Sequence, residues 1–487
     1  MAPLATSAAT GEIAAPNCER AYSPVILAGV VRMVELTLVT LVGVGLYLWY
    51  APAVTNFARY LTNIAGISLL SILAFQAADI YQLQAFRDQG KPYRRLILGW
   101  SIVFLVAIAV LYFTKSSAEF SRTWLGSYYA AGLLTLFAFR RTLFLLVQRW
   151  TRQGRFARRT VVVGAGHYGE ALIAQLAARP DSDVSVVGVF DDRNDDRTSP
   201  TCHGVPKLGK VDDLVEFARH RRIDLVIVAL PITAEERVLQ MLKKLWVLPL
   251  DIRLAAHSNK LRLRPRSYSY VGDVPVFDVF DRPITDWDVV MKLLFDKMIG
   301  TAAFVCTAPI MLLIALAIKF DSKGPVLFKQ RRYGFNNERF DIYKFRSMYV
   351  EHADAMASKV VARNDPRVTR VGRFIRKTSL DELPQLWNVI FTGNMSLVGP
   401  RPHAIYGKAE EQLYDEVVDG YFARHRVKPG ITGWAQINGW RGETDSKEKI
   451  QRRVEHDLYY IENWSILFDL YILVRTPFAL IRGENAY

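Results

Sequence analysis

Asp365-Pro-Arg-Val-Thr-Arg-Val-Gly-Arg-Phe-Ile-Arg-Lys-Thr-Ser-Leu-Asp-Glu-Leu-Pro-Gln-Leu-Trp-Asn-Val-Ile390, continuing as Phe391-Thr-Gly-Asn-Met-Ser-Leu-Val-Gly-Pro-Arg-Pro402, is the stretch on which the reading of the whole chain turns. Arg367, Arg370, Arg373, Arg376 and Lys377 stand ahead of the adjacent carboxylates Asp381 and Glu382, and Arg401 is held between Pro400 and Pro402. Cations beside paired acids can hold a diphosphate, bind a divalent metal and keep a nucleophile ionised. A plainer reading competes: Ser379-Leu-Asp-Glu382 fits a capping box, and acids in a first helical turn favour the helix dipole. A cap needs neither the arginines nor the Pro-Arg-Pro turn, which favours a site. Asp381 and Glu382 are therefore the candidate catalytic and metal-binding pair, with Arg401 and Arg376 as candidate phosphate ligands.

Working outward, Lys323-Gly-Pro-Val-Leu-Phe-Lys-Gln-Arg-Arg332 and the alternating Phe340–Ser347 read as two short strands. They offer Lys344 and Arg346 to phosphate or lipid headgroups. Before them, Met298–Ile318 is apolar over about the length that spans a bilayer. Lysines and arginines flank it on both sides, which favours both ends remaining on the cytoplasmic face. Ala308-Pro309 near its middle breaks a helical hydrogen bond, so a re-entrant helix is expected over 298–318, with an ordinary kinked spanning helix as the alternative, preceded by an amphipathic helix over Asp286–Lys297. Downstream, Gly430-Ile-Thr-Gly-Trp-Ala-Gln-Ile-Asn-Gly439 either touches the substrate or stabilises the fold. Lys447–Ile461 reads as a charged helix and Trp464–Arg475 as an amphipathic one. Asp457 reads as a surface acid by default, and His352, His403, His425 and His456 show no metal-ligand or triad spacing.

The chain of 487 residues is too long for one core, and 51% hydrophobic residues with a net charge of +15 is an unusual pairing. It suits a membrane protein facing anionic lipid better than a nucleic-acid binder. Cys18, Cys202 and Cys306 form no metal or redox spacing. Residues 1–24 read as a disordered tail. Within 25–150, apolar segments at Val25–Tyr50, Phe57–Ile80, Leu96–Phe113 and Trp124–Val147 make a four-helix transmembrane bundle. Trp49, Tyr50, Tyr81, Trp100, Trp124 and Trp150 suit an interfacial belt, and the arginines after the second and fourth segments put both termini in the cytoplasm. Arg32 and Glu35 are spaced to pair across one helical turn.

Residues 158–260 switch to an α/β pattern. Thr160-Val-Val-Val-Gly-Ala-Gly-His-Tyr-Gly169, followed by Val184–Phe190 and Asp191, satisfies a dinucleotide fingerprint in spacing and context. Gly164, Gly166, Gly169 and Asp191 are its candidate nucleotide contacts, for NAD or another nucleotide; alternatively the glycines serve only a tight turn. Residues 261–285 read as a loop-like connector. The fold class is thus a membrane α bundle, an α/β Rossmann-like domain and, over 286–487, an α/β catalytic domain with a re-entrant membrane helix.

Asp381-Glu-Leu-Pro-Gln-Leu-Trp-Asn-Val389, Gly393-Asn-Met-Ser-Leu-Val-Gly-Pro-Arg-Pro402 and the Lys323–Arg332 run resemble the bacterial polyisoprenyl-phosphate hexose-1-phosphate transferases. The similarity is densest from Asp286 onward and points to the large form that starts exopolysaccharide repeat units. The resemblance implies a UDP-sugar donor, UDP-glucose or UDP-galactose with glucose favoured by similarity, an undecaprenyl phosphate acceptor, Mg²⁺, and a sugar-phosphoryl intermediate on Asp381. It implies residence in the bacterial inner membrane with the catalytic domain on the cytoplasmic face. It also implies a Ser-Pro breaker in the re-entrant helix, where this chain has Ala308-Pro309. Downstream glycosyltransferases and a second copy of the chain are compatible partners; nucleic acid is not expected. A membrane-anchored Rossmann oxidoreductase or sugar epimerase, and a non-enzymatic assembly scaffold, are the competing readings.

Overall fold

In the computed structural model the residues described are 22–50, 57–88, 90–178, 183–193, 201–231, 234–256, 269–271, 274–350, 365–403, 408–409, 412–413, 420–440, 442 and 446–481. Most of the expected tail, the 51–56 link and part of the 261–285 connector lie outside them. The chain divides into two compact units, Met1–Ala157 and Arg158–Tyr487.

The first unit holds helices α1 (Pro24–Tyr50), α2 (Phe57–Ala77), α3 (Lys91–Phe113) and α4 (Arg122–Arg152), each long and apolar enough to cross a membrane. Two sequence expectations change here. Trp100, Trp124 and Tyr81 do not form a belt but are buried in the bundle. Trp100 and Trp124 donate their indole N–H to the carbonyls of Tyr129 and Gly43, which satisfies the polar tip inside an apolar core. Glu35, fully buried, does not pair with Arg32 one turn away. Its partner is Arg140 of α4, at 2.6 Å, and the Tyr81 hydroxyl donates to it at 2.7 Å. Arg32 instead lies over the Tyr81 ring. Distant partners win because an acid buried in a bundle needs every oxygen satisfied.

In the second unit β1 (Arg158–Val163) leads through the glycine turn into α5 (His167–Ala177), then β2 (Val184–Phe190), β3 (Thr201–Cys202), β4 (Val205–Gly209), α6 (Val211–His220), β5 (Leu225–Val228), α7 (Glu235–Leu245) and β6 (Asp251–Ala255). The sheet order runs β3-β4-β2-β1-β5-β6, parallel from β4 to β6. The connector is less loop-like than expected. Ser269–Val271 and Val274–Phe280 form β7 and β8, an antiparallel extension on β6, because Val274-Pro-Val-Phe-Asp-Val-Phe alternates faces.

The expected amphipathic helix and the apolar run are one element, α8 (Asp286–Asp321), which stays helical through Pro309. It too is long and apolar enough to cross a membrane. Beyond it, β9 (Leu327–Tyr333) and β10 (Arg339–Phe345) make an antiparallel hairpin, as their alternation predicts. Then come α9 (Arg370–Lys377), β11 (Ser396–Val398) paired in parallel with β12 (Gly430–Thr432), α10 (Lys447–Glu462) and α11 (Ile466–Ile481).

Candidate active site

Helix α9 starts where the Thr369 hydroxyl and the Asp321 carboxylate accept the N–H groups of Gly372 and Val371. It ends at Thr378, and Ser379 then takes a left-handed backbone (φ 59°), uncommon for a residue with a Cβ. That turn swings Leu380–Glu382 into a single 3-10 turn. The capping box does not form: the Ser379 side chain caps nothing, and Glu382 reaches elsewhere.

Both Glu382 oxygens meet cations. Lys344 of β10 donates to Oε1 at 2.9 Å, and Arg401 forks the carboxylate, with Nη1 3.2 Å from Oε2. Three separated segments are thereby joined at one carboxylate. Asn388, fully buried, fixes the register: its amide donates to the Asp341 carbonyl and accepts from the Tyr343 N–H, pinning the turn of a π-helix (Asn388–Thr392) to the edge of β10. On the other side, Gly399 packs so closely against Lys428 and Gly430 that a Cβ would lie 2.5 Å from the Lys428 carbonyl. The glycine-punctuated 430–439 loop thus backs the Pro400-Arg401 turn, a role in the fold.

Burial would raise both acids, and the outcomes differ. For Glu382 the charges of Arg401 and Lys344 overcome burial and hold its carboxyl well below the usual range. For Asp381 burial prevails: it pushes the carboxyl up, Lys344 opposes, Glu382 adds, and Arg376 and Arg401 pull weakly back. Among the described residues nothing donates a hydrogen bond to the Asp381 carboxylate, so it is a desolvated acid with free oxygens beside a neutralised one.

Of the expected site residues, Asp381, Glu382, Arg401, Arg376 and Lys344 come together. Arg346 does not: it is buried and gives its guanidinium to the Ser322 and Lys323 carbonyls, closing the turn after α8. Arg367 likewise pairs with Asp365, which holds that carboxyl down at about 2. Glu382, expected as a metal ligand, has both oxygens in ion pairs, and no cluster of three potential metal ligands exists among the described residues. Among the described residues, a divalent ion on a bound diphosphate would find one carboxylate of this pair outside an ion pair, Asp381; Mg²⁺ tolerates this, since it takes its other ligands from phosphate and water.

Sequence reasoning missed a buried network behind Arg401. Arg424 and Asp457, 0% and 2% exposed, pair at 2.6 Å, and Arg424 also donates to the Arg401 carbonyl at 2.6 Å. Asp457 is therefore no surface acid. His403 sits among Tyr421, Arg424 and Arg453, and burial with these cations drives its pKa far down, so it is neutral. Asp457→Asn would leave the Arg424 charge unpaired, and unfolding of the variant should show a loss of about 3–5 kcal/mol.

In the glycine-rich domain, Gly164 has φ +104°, and a Cβ on Gly169 would lie 2.0 Å from the Gly164 carbonyl, so both glycines are required by geometry. Asp191 accepts from the Ala165 and Arg193 N–H groups at 2.7 and 3.0 Å and is itself buried. Its carboxylate holds the turn. A Cβ on Gly166 would meet the Arg193 guanidinium at 2.9 Å.

The stretch that carries these residues falls within a known family. The family described as bacterial sugar transferase matches residues 287–483, and the CoA-binding domain family matches 76–256. A UDP-glucose:undecaprenyl-phosphate glucose-1-phosphate transferase of Xanthomonas campestris pv. campestris is 34% identical, over 94% of both chains. An undecaprenyl-phosphate glucose phosphotransferase of Komagataeibacter xylinus is 40% identical over 69% of this chain and 62% of its own. The Escherichia coli K12 UDP-glucose:undecaprenyl-phosphate glucose-1-phosphate transferase is 34% identical over 86% of this chain and 89% of its own. With the catalytic stretch matched and a relative aligned nearly end to end, the chain belongs to the bacterial sugar transferase family, among its undecaprenyl-phosphate hexose-1-phosphate transferases.

Proposed function

We propose that this membrane enzyme transfers glucose 1-phosphate from UDP-glucose to undecaprenyl phosphate, giving undecaprenyl-diphosphate-glucose and UMP, and so begins an exopolysaccharide repeat unit. The observation that carries this is Asp381 with its carboxylate free beside Glu382, which Lys344 and Arg401 clamp, in a chain similar over its length to enzymes named for that reaction. An Asp381 oxygen attacks the sugar-bearing phosphorus, and the bond to the bridging oxygen breaks as UMP leaves. An oxygen of undecaprenyl phosphate then attacks the same phosphorus and frees the carboxylate. Lys344, Arg376 and Arg401 offset the diphosphate charge that would otherwise repel the carboxylate. Mg²⁺ bound at the diphosphate would add to that neutralisation, with Asp381 as its protein ligand.

The acceptor cannot leave the bilayer, so the site must sit at headgroup depth. Both ends of α8 support a helix that enters and returns on one side: Lys292 and Lys297 near its start bond the carbonyls of Val398 and Ile390, while Ile314 and Ile318 near its end pack on Phe345 and Ile375. A straight crossing would carry one end away from that domain. Cations at both ends of the apolar run favour the cytoplasmic face. Gly164, Gly166 and Gly169 and the Asp191 carboxylate are accounted for by the turn itself, and hydride transfer would leave the Asp381 cluster unexplained.

Purified protein with Mg²⁺, UDP-glucose and undecaprenyl phosphate should release UMP and form lipid-linked sugar in equal amounts. NADH production or epimerised sugar without UMP would overturn the reading.

A further inference from the structure

A second polar cluster lies away from Asp381 and plays no part in the steps above. Lys292 of α8 donates to the Val398 carbonyl at 3.0 Å and pairs with Asp469 of α11 at 2.6 Å. Asp469 is fully buried; the Tyr460 hydroxyl lies 2.7 Å from its Oδ1, and the Trp464 indole donates to its Oδ2 at 3.1 Å. One turn along α8, Asp296 accepts from the Leu397 N–H at 3.1 Å and the Ser396 hydroxyl at 3.0 Å. These side chains grip β11 on the edge opposite β12, and Val398 precedes the Gly399-Pro400-Arg401 turn.

We infer that Lys292 and Asp469 are positioning residues that lock the bilayer-entering helix α8 to the strand delivering Arg401, and so set the depth at which a lipid-borne phosphate meets the site. Directional bonds are what such a lock requires. Apolar contacts between a helix and a strand tolerate sliding, whereas bonds to the Val398 carbonyl and Leu397 N–H permit one register, and a slip of one helical turn would move α8 by about 5.4 Å. The outer side of α8 is apolar and open, with Met298, Leu312, Leu313 and Phe320 at 69%, 63%, 66% and 89% exposure, so its register fixes where the bilayer lies relative to Arg401. The donor arrives from water and is held by Arg401 and Lys344, whose mutual arrangement their shared partner Glu382 keeps intact. Loss of the lock therefore falls on the lipid substrate.

The inference rests on the transfer reaction proposed above. In the full chain reconstituted in lipid nanodiscs, Lys292→Met should raise KM for undecaprenyl phosphate about tenfold while KM for UDP-glucose stays within about twofold. Because Lys292→Met leaves Asp469 buried without its cation, the double variant Lys292→Met/Asp469→Leu serves as the control for folding. It should unfold above Lys292→Met, since no buried charge is left unpaired, and keep the raised acceptor KM. An unchanged acceptor KM in Lys292→Met, parallel changes in both KM values, or recovery of acceptor KM along with stability in the double variant would each overturn the inference. Absence of UMP release by the native chain would sink the transfer reading and this inference with it, whereas native release with an unchanged variant acceptor KM sinks the inference alone.

Discussion

Asp381→Asn should lower UMP release from UDP-glucose by at least ~10⁴-fold, the scale of losing a covalent nucleophile. The amide preserves size and fills the same space beside Lys344, so the loss would report chemistry and not packing. The fold should survive, since among the described residues no hydrogen bond depends on the Asp381 carboxylate. Its protonation gives a second handle. Burial raises this carboxyl above the ordinary 3.8, and only the ionised form attacks. Activity is then complete above the raised pKa and falls as pH drops through it. The acid limb of the kcat/KM profile for UDP-glucose should therefore lie above pH 3.8, and a limb at or below that value would contradict the desolvated setting.

Arg401→Ala should cost about 10²–10³-fold in kcat/KM, the range found when one preorganised charge stabiliser is removed. The side chain forks Glu382 from a turn held between Pro400 and Pro402, and in the proposed reaction it also faces the diphosphate. Removing it leaves Glu382 with Lys344 alone, so that carboxylate loses one of its two ion-pair partners. Arg401→Lys should recover only part of the rate, because an ammonium cannot engage both carboxylate oxygens as a planar fork does. Initial rates of UMP release for the two variants and the native chain give the comparison; equal rates for lysine and arginine would show that point charge suffices.

Much of this architecture is legible in the sequence, and the reason is local. The four bundle helices follow from apolar length, the glycine turn from strand–Gly-x-Gly–helix spacing, and the Asp381 pair from cations packed within a few residues of it. The features that escape have partners remote along the chain. Glu35 finds Arg140 across 105 positions and Lys292 finds Asp469 across 177, separations at which periodicity and spacing carry no signal. Asp457 looked like a surface acid because its helix is highly charged; only its one buried face reveals Arg424. Arg346 was misplaced for the opposite reason. It alternates with Lys344 on a strand, yet the chain leaves β10 before it, and nearby carbonyls at the end of α8 claim its guanidinium.

Radiolabelled donor tests the central claim most directly. Protein incubated with UDP-glucose carrying ³²P in the sugar-bearing phosphate, without acceptor, should release UMP in a burst of up to one per chain and retain label on the peptide containing Asp381. Undecaprenyl phosphate should then discharge that label into lipid. Lipid-linked product formed at the native rate by Asp381→Asn, or label retained on a peptide that lacks Asp381, would contradict the account.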